Sequence, residues 1–230
     1  MSRAPAVKTV KHKFGSAVTS SLHLYGQILP LTPFTAANIK GPIHPKNARR
    51  IVGLSFLAML SAWEEFVEDV LIRYCAGADH PDGTLVNRRI GPCRSLAHAY
   101  QALSGREDYD PESHFLSFRP WSKVVRLAAI WFEEGAPFSV VKDWRQQRLD
   151  NAYILRDRVA HRSDKAIAAF KVVAREHRGL GQSAPLGQGY DVGSLLIAPA
   201  ARGFPGYGTA TYFEAYARLL RELANLLASG

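Results

Sequence analysis

The chain has 230 residues, 47% apolar and 21% charged, which reads as a soluble globular protein with one large core rather than a disordered or fibrous chain. No run of 18 uninterrupted apolar residues occurs, so no transmembrane helix is expected, and the N-terminus lacks the pattern of a secretory signal. The net charge is +9, and its placement is uneven. Arg3, Lys8, Lys11, Lys13, Lys40, Lys46, Arg49 and Arg50 precede the first acid, Glu64, so residues 1–63 carry +8. The rest holds 21 bases and 20 acids. A basic front end on a neutral body suits a polyanion partner, most often nucleic acid; the plainer alternative is a solvated, solubilising segment. A transit peptide is also acid-poor, but Pro30, Pro33, Pro42 and Pro45 interrupt any long amphipathic helix. Two cysteines, Cys75 and Cys93, make no disulfide framework and fit a reducing cytoplasm.

The spacing of Val10, Phe14, Val18, Leu22, Tyr25 and Leu29 predicts a helix over 7–29. Pro30 to Pro45 reads as a loop or arm. Residues 1–45 are thus expected to be a basic helix and a Pro-rich arm packed on the same domain as a helical body over 46–230. The body opens with a helix over about 46–76, whose Phe56, Leu60, Trp63, Val67, Val70 and Tyr74 form one apolar stripe. Glu64, Glu65, Glu68 and Asp69 on it read as a solvated outer face, or as partners of a basic site on a neighbouring helix. A polar connection over 77–92 contains the turn Pro81-Asp82-Gly83. A short helix follows over 94–103 with Gly105 as its stop, then an irregular stretch over 108–119. Residues 121–134 read as a helix ended by Gly135 and Pro137. Helix resumes near Ser139 and continues to about His161, with a break expected around Asp150-Asn151. Ser163 is a candidate N-cap for a helix over 164–175.

Eight of the 18 glycines lie within 178–210. That density predicts a long Gly-rich loop, in which 192–198 forms a short strand or tucks into the core. The last helix, 211–228, is strongly amphipathic. The expected fold is all-α, an antiparallel bundle of about six or seven helices with no βαβ alternation and no internal repeat.

No GxxxxGK[ST], strand-linked GxGxxG, GxSxG or HExxH pattern occurs. Cys75, His80, Cys93 and His98 give two Cys-x4-His pairs. Structural zinc sites use shorter Cys spacings and buried Cys commonly acts as a small hydrophobe, so no metal and no other cofactor is expected. The remaining chemical signal is Arg156-Asp157-Arg158-Val159-Ala160-His161-Arg162, three arginines, one acid and a titratable imidazole group within seven residues. RNA carries its own nucleophile, the 2′-hydroxyl. Its metal-free cleavage needs a base, an acid and a cation for the phosphorane charge. His serves as acid or base, and Arg offers a fork matched to phosphate. Five helical steps turn about 140°, so Arg156 and His161 share no face of a straight helix. Either the helix ends before His161, or a second subunit completes the site. Because one segment supplies one His, a two-fold dimer is the simpler source of both acid and base.

This segment resembles the Arg-x4-6-His signature of the HEPN superfamily (higher eukaryotes and prokaryotes nucleotide-binding), in which a polar residue follows the Arg; Asp157 stands there, and Ala160 also fits. Leu60-Ser61-Ala62-Trp63-Glu64-Glu65-Phe66-Val67-Glu68 resembles the long early helix of the ribonuclease-like branch. His161-Arg162-Ser163 with Phe170, and Gly193-Ser194-Leu195-Leu196 before the last helix, are similar to later parts, so the resemblance spans about 46–228. It implies an antiparallel helical core, a homodimer with paired motifs, and metal-independent RNA cleavage to a 2′,3′-cyclic phosphate by a toxin or antiviral defence effector. An antitoxin or regulatory partner would accompany such a protein. On that resemblance Arg156 would stabilise the phosphate, His161 would transfer protons, Asp157 would orient or tune the site, and Arg158 and Arg162 would contact the RNA backbone. The usual Asn is replaced by Asp157, whose charge would weaken RNA binding or stabilise the His161 cation. The second reading is a non-catalytic HEPN-like module that binds nucleic acid, nucleotide or protein. A third is purely structural: Arg156 and Arg158 pair with the Glu64–Asp69 block and His161 merely ends a helix.

Overall fold

A computed structural model describes residues 6–110, 113, 114, 116–200, 202–208 and 210–228. Arg3 of the basic front end lies outside them. Among the described residues the regular structure is helical, with nine α-helices rather than six or seven: α1 Val7–Ile28, α2 Ala36–Ile39, α3 Pro45–Cys75, α4 Leu96–Ser104, α5 Trp121–Trp131, α6 Asp143–Ala160, α7 Asp164–Arg178, α8 Val192–Leu196 and α9 Tyr212–Leu227. None of them is long and apolar enough to cross a membrane.

The two additional elements are short and capped by side chains. Inside the Pro-rich arm, Thr35 accepts from the Asn38 amide and starts α2. In the Gly-rich stretch, Asp191 Oδ1 accepts from the Ser194 amide at 2.8 Å and starts α8. The segment 178–210 is therefore two irregular stretches around a helical turn, and 192–198 holds no strand. Other boundaries follow from local chemistry. Gly105 and Gly179 end α4 and α7 in the left-handed conformation. Ser163 caps α7 by accepting from the Ala166 amide. Thr211 and Glu214 form a reciprocal capping box at α9: Glu214 Oε2 accepts from the Thr211 amide at 2.8 Å, and Thr211 Oγ1 accepts from the Glu214 amide at 3.4 Å. The break expected near Asp150-Asn151 is absent. It lies earlier, where Val141 is extended and Asp143 has φ 57°.

The described chain divides into two compact units. The first comprises residues up to Ser16, Ala62–Gln146 and the chain from Arg221 on. Its core holds Phe14, Trp63, Phe66 and Trp121 in contact as rings. A second group of rings joins Tyr74, Phe132 and Phe138. The Tyr74 hydroxyl donates to Leu227 O at 2.7 Å. Helix α5 stops three residues before Glu134 because Phe132 turns into extended backbone, bridges Arg88 and buries its ring. The acidic block is not a solvated face. Only Glu65 is exposed; Glu64 pairs with Arg119 at 3.3 Å and Asp69 with Arg73 at 3.0 Å. Burial raises the Glu68 pKa, opposed by a hydrogen bond with Tyr100. The Cys-x4-His residues are engaged separately. Cys75 and Cys93 are buried free thiols, His80 lies 3.0 Å from Asp82, and His98 Nδ1 accepts from the Arg94 amide.

The second unit comprises Ala17–Ser61 and Gln147–Leu220. Tyr25 and Phe213 stack at 4.3 Å, and Phe56 packs against Phe213 and Tyr216. Helices α6 and α7 form a hairpin joined by His161, Arg162 and Ser163 alone. This unit holds the whole Arg156–Arg162 segment.

Candidate functional site

Helix α6 buries Leu149, Ala152, Tyr153 and Leu155, and with them two polar residues, Arg148 and Asn151. A buried cation is costly unless paired. Here Glu176 of α7 supplies the pair: its Oε1 lies 2.8 Å from Arg148 Nη2 and accepts from Gln147 at 3.0 Å, while its Oε2 accepts from Asn151 at 3.3 Å. One carboxylate thus ties three α6 side chains to the far end of the hairpin from His161. Gly203, with φ 80°, lets the backbone lie on the guanidinium, since a Cβ there would stand 2.6 Å from Arg148 Cζ. Glu176→Ala is expected to lower stability by about 2–3 kcal/mol, because it leaves Arg148 buried and unpaired; chemical denaturation would measure it.

Next to Glu176, His177 is buried. Its Nδ1 lies 2.9 Å from Val173 O, an acceptor only, so Nδ1 carries the proton and Nε2 accepts from the Tyr216 hydroxyl at 2.8 Å. Tyr212 donates to the His177 carbonyl. Burial, aided by the nearby Arg148 charge, pushes the His177 pKa down to about 4 from 6.5. The neutral form is favoured in the fold, so the unfolded chain binds more protons between these values. Stability is expected to fall by roughly 3 kcal/mol as pH drops from about 6.5 to about 4. His177→Gln would flatten that slope in urea titrations run across the window.

At the other end of the hairpin, α6 stops at Ala160 and His161 is the first residue beyond it. The His161 amide still donates to Asp157 O at 2.8 Å, after which the chain turns to the Ser163 cap. His161 and Arg162 are exposed; Arg156, Asp157 and Arg158 are half-buried. Arg156 Nη1 lies 3.2 Å from Asp157 Oδ1, so the acid holds the guanidinium it follows in sequence. Arg158 Nη1 donates to His161 O at 3.3 Å, which satisfies a carbonyl at the negative end of the helix dipole. Of the five residues, four bases and an acid therefore meet at one helix end, with Arg156 tied to Asp157 and Arg158 to the His161 backbone. On α3, a Cβ at Gly53 would meet Val159 Cγ2 at 3.4 Å. The first half of α3 therefore passes close to this end of α6.

The basic front end divides by role. Arg49 donates to Thr32 O at 3.2 Å and to Ser194 Oγ at 3.3 Å, and its guanidinium sits 4.6 Å from the centre of the Phe34 ring. It pins the Pro-rich arm and α8 to α3. Lys8, Lys13, Lys40, Lys46 and Arg50 are exposed, with Lys13 3.2 Å from Glu65.

Sequence reading does not single out Arg148, Asn151, Glu176 and His177. One signal was available: Arg148, Ala152 and Leu155 stand on one helical stripe, and a cation on a core stripe demands a buried acid. No protein-family model, no curated protein and no solved structure matches the chain.

Proposed function

We propose that the protein is a metal-independent endoribonuclease of the HEPN type, acting through 2′-hydroxyl attack. The observation that carries this reading is the end of α6: Arg156, Asp157, Arg158, His161 and Arg162 lie at the tip of a three-residue helical hairpin, and His161 stands outside the helix, exposed to solvent. In this reading Arg156 takes the charge of the phosphorane, and Asp157 holds its guanidinium in place. His161 moves protons to or from the sugar oxygens. Each chain contributes one His161, so a homodimer with the two tips facing one another supplies acid and base together. Arg162, and Arg158 beyond its contact with the His161 carbonyl, bind the RNA backbone. A toxin or antiviral defence role, and an antitoxin or regulatory partner, belong to the same proposal.

A non-catalytic module that binds nucleic acid, nucleotide or protein is the second reading. It is favoured by the employment of Arg156 and Arg158 in local bonds. Incubation of the full chain with labelled RNA in EDTA separates the two. Cleavage to products ending in 2′,3′-cyclic phosphate is expected. A folded protein that binds RNA and leaves every tested sequence intact would replace the enzyme by the binding module.

A further inference from the structure

Phe34 is the one large aromatic among the strongly exposed apolar residues described, at 55% of its surface. An exposed Phe on a loop gains nothing from hydrophobic burial, yet this one is held firmly. The Arg49 guanidinium covers part of the ring at 4.6 Å and is itself fixed by Thr32 O and Ser194 Oγ. His44 meets the ring edge-on, at 5.8 Å and 77°, and is oriented by the Lys46 amide, which donates to its Nδ1. The loop around Phe34 is stapled from inside. Asn38 Nδ2 donates to Pro30 O and Pro33 O, both at 3.1 Å, and Thr35 caps α2 immediately after Phe34. The rotational and backbone freedom that an exposed side chain would lose on binding is therefore already restricted.

The arm and the start of α3 carry one sign of charge. Lys40, Lys46 and Arg50 are exposed on the same arm and the start of α3, and no acid occurs in the first 63 residues. Asp191, the carboxylate next to Arg49 through Ser194, is engaged by the Ser194 amide and hydroxyl. A rigid aromatic face on an arm that carries cations and no acid of its own matches what an unpaired nucleobase and its flanking phosphates need. The base stacks on the ring and the lysines take the phosphates. A duplex, whose bases are stacked inside, would use the charges and not the ring.

We propose that Phe34, backed by Arg49 and flanked by Lys40, Lys46 and Arg50, is a stacking platform for a base of single-stranded RNA. The proposal rests on the reading of the protein as an RNA enzyme, and it adds where the substrate is held away from the reacting phosphate. Gly53, one turn of α3 beyond Arg49, meets Val159, which lies two residues before His161. Helix α3 thus links the arginine that backs Phe34 to the α6 end.

The test is binding, kept separate from cleavage. In full-length protein carrying His161→Ala, with EDTA present, fluorescence anisotropy would follow labelled oligouridylate and oligoadenylate. Phe34→Ala is expected to weaken both about 5- to 100-fold, the range of one aromatic stack. Phe34→Leu should behave like the Ala variant despite its apolar bulk, and Phe34→Trp should retain the affinity of Phe. Inorganic polyphosphate, a polyanion without bases, should bind all four proteins alike. Unchanged oligonucleotide affinity in Phe34→Ala, or an equal loss for polyphosphate, would overturn the platform. The two proposals fail separately. Phe34-dependent binding without any cleavage by the unaltered chain removes the nuclease and keeps the platform. Cleavage with Phe34-independent binding does the reverse.

Discussion

RNA cleavage in EDTA is expected to fall about 10²–10⁴-fold when His161 is replaced by Ala, the usual worth of a positioned proton-transfer group. The side chain is exposed beyond the end of α6, so stability should change by no more than about 0.5 kcal/mol. That separation between activity and stability is what makes the variant informative. Arg156→Lys keeps the charge and loses the planar fork, and should lower the rate while leaving RNA affinity nearly unchanged. Asp157→Asn removes the carboxylate 3.2 Å from Arg156 Nη1; RNA affinity is expected to rise, because a negative charge leaves the neighbourhood of the phosphate. Arg162→Ala should weaken binding across sequences alike and reduce the salt slope by about one. Undiminished cleavage by His161→Ala would remove the imidazole from the mechanism.

The largest loss of stability is expected at Gly193, not at the hairpin tip. A Cβ there would stand 2.0 Å from Arg49 O and 2.6 Å from Arg49 C. Both are backbone atoms of a long helix, so nothing at the contact swings aside. Relief requires α8 to move as a body, and α8 is tied to α3 by the bond that Arg49 donates to Ser194 Oγ, while the Asp191 cap, accepting from the Ser194 amide and hydroxyl at 2.8 Å each, keeps Ser194 in place. Gly193→Ala is therefore expected to cost about 3 kcal/mol or more in urea denaturation. Gly206→Ala is the control. Its φ of 84° strains a side chain, but a Cβ would meet nothing within 4 Å, so the cost should be about 1 kcal/mol. Equal effects at the two positions would mean that α8 does not press on α3.

The long helices were legible because each carries its signals within itself. The stripe from Phe56 to Tyr74 placed α3, Ser163 placed the start of α7, and Gly105 placed the end of α4. The short helices were not read. Thr35 and Asp191 are ordinary caps, but four or five residues give no apolar period to accompany them, and both lie among prolines or glycines that suggested loops. The acidic block on α3 was misjudged for a different reason. A run of Glu and Asp looks solvated until Arg119 and Tyr100, distant in sequence, are seen beside it.

By itself the sequence determined the helical class, the positions of the main helices and the clustering of Arg156 to Arg162, since period, caps and composition are local properties. Only the tertiary structure decided which polar residues are buried. Arg148 and Asn151 of α6 meet Glu176 of α7 because the hairpin folds back on itself, and a short connection of three residues leaves them no other alignment. It likewise decided that Arg49 supports Phe34 while Arg50, its neighbour, faces solvent. Adjacent residues on a helix point about 100° apart, and which of the two meets another element depends on packing that no local pattern contains.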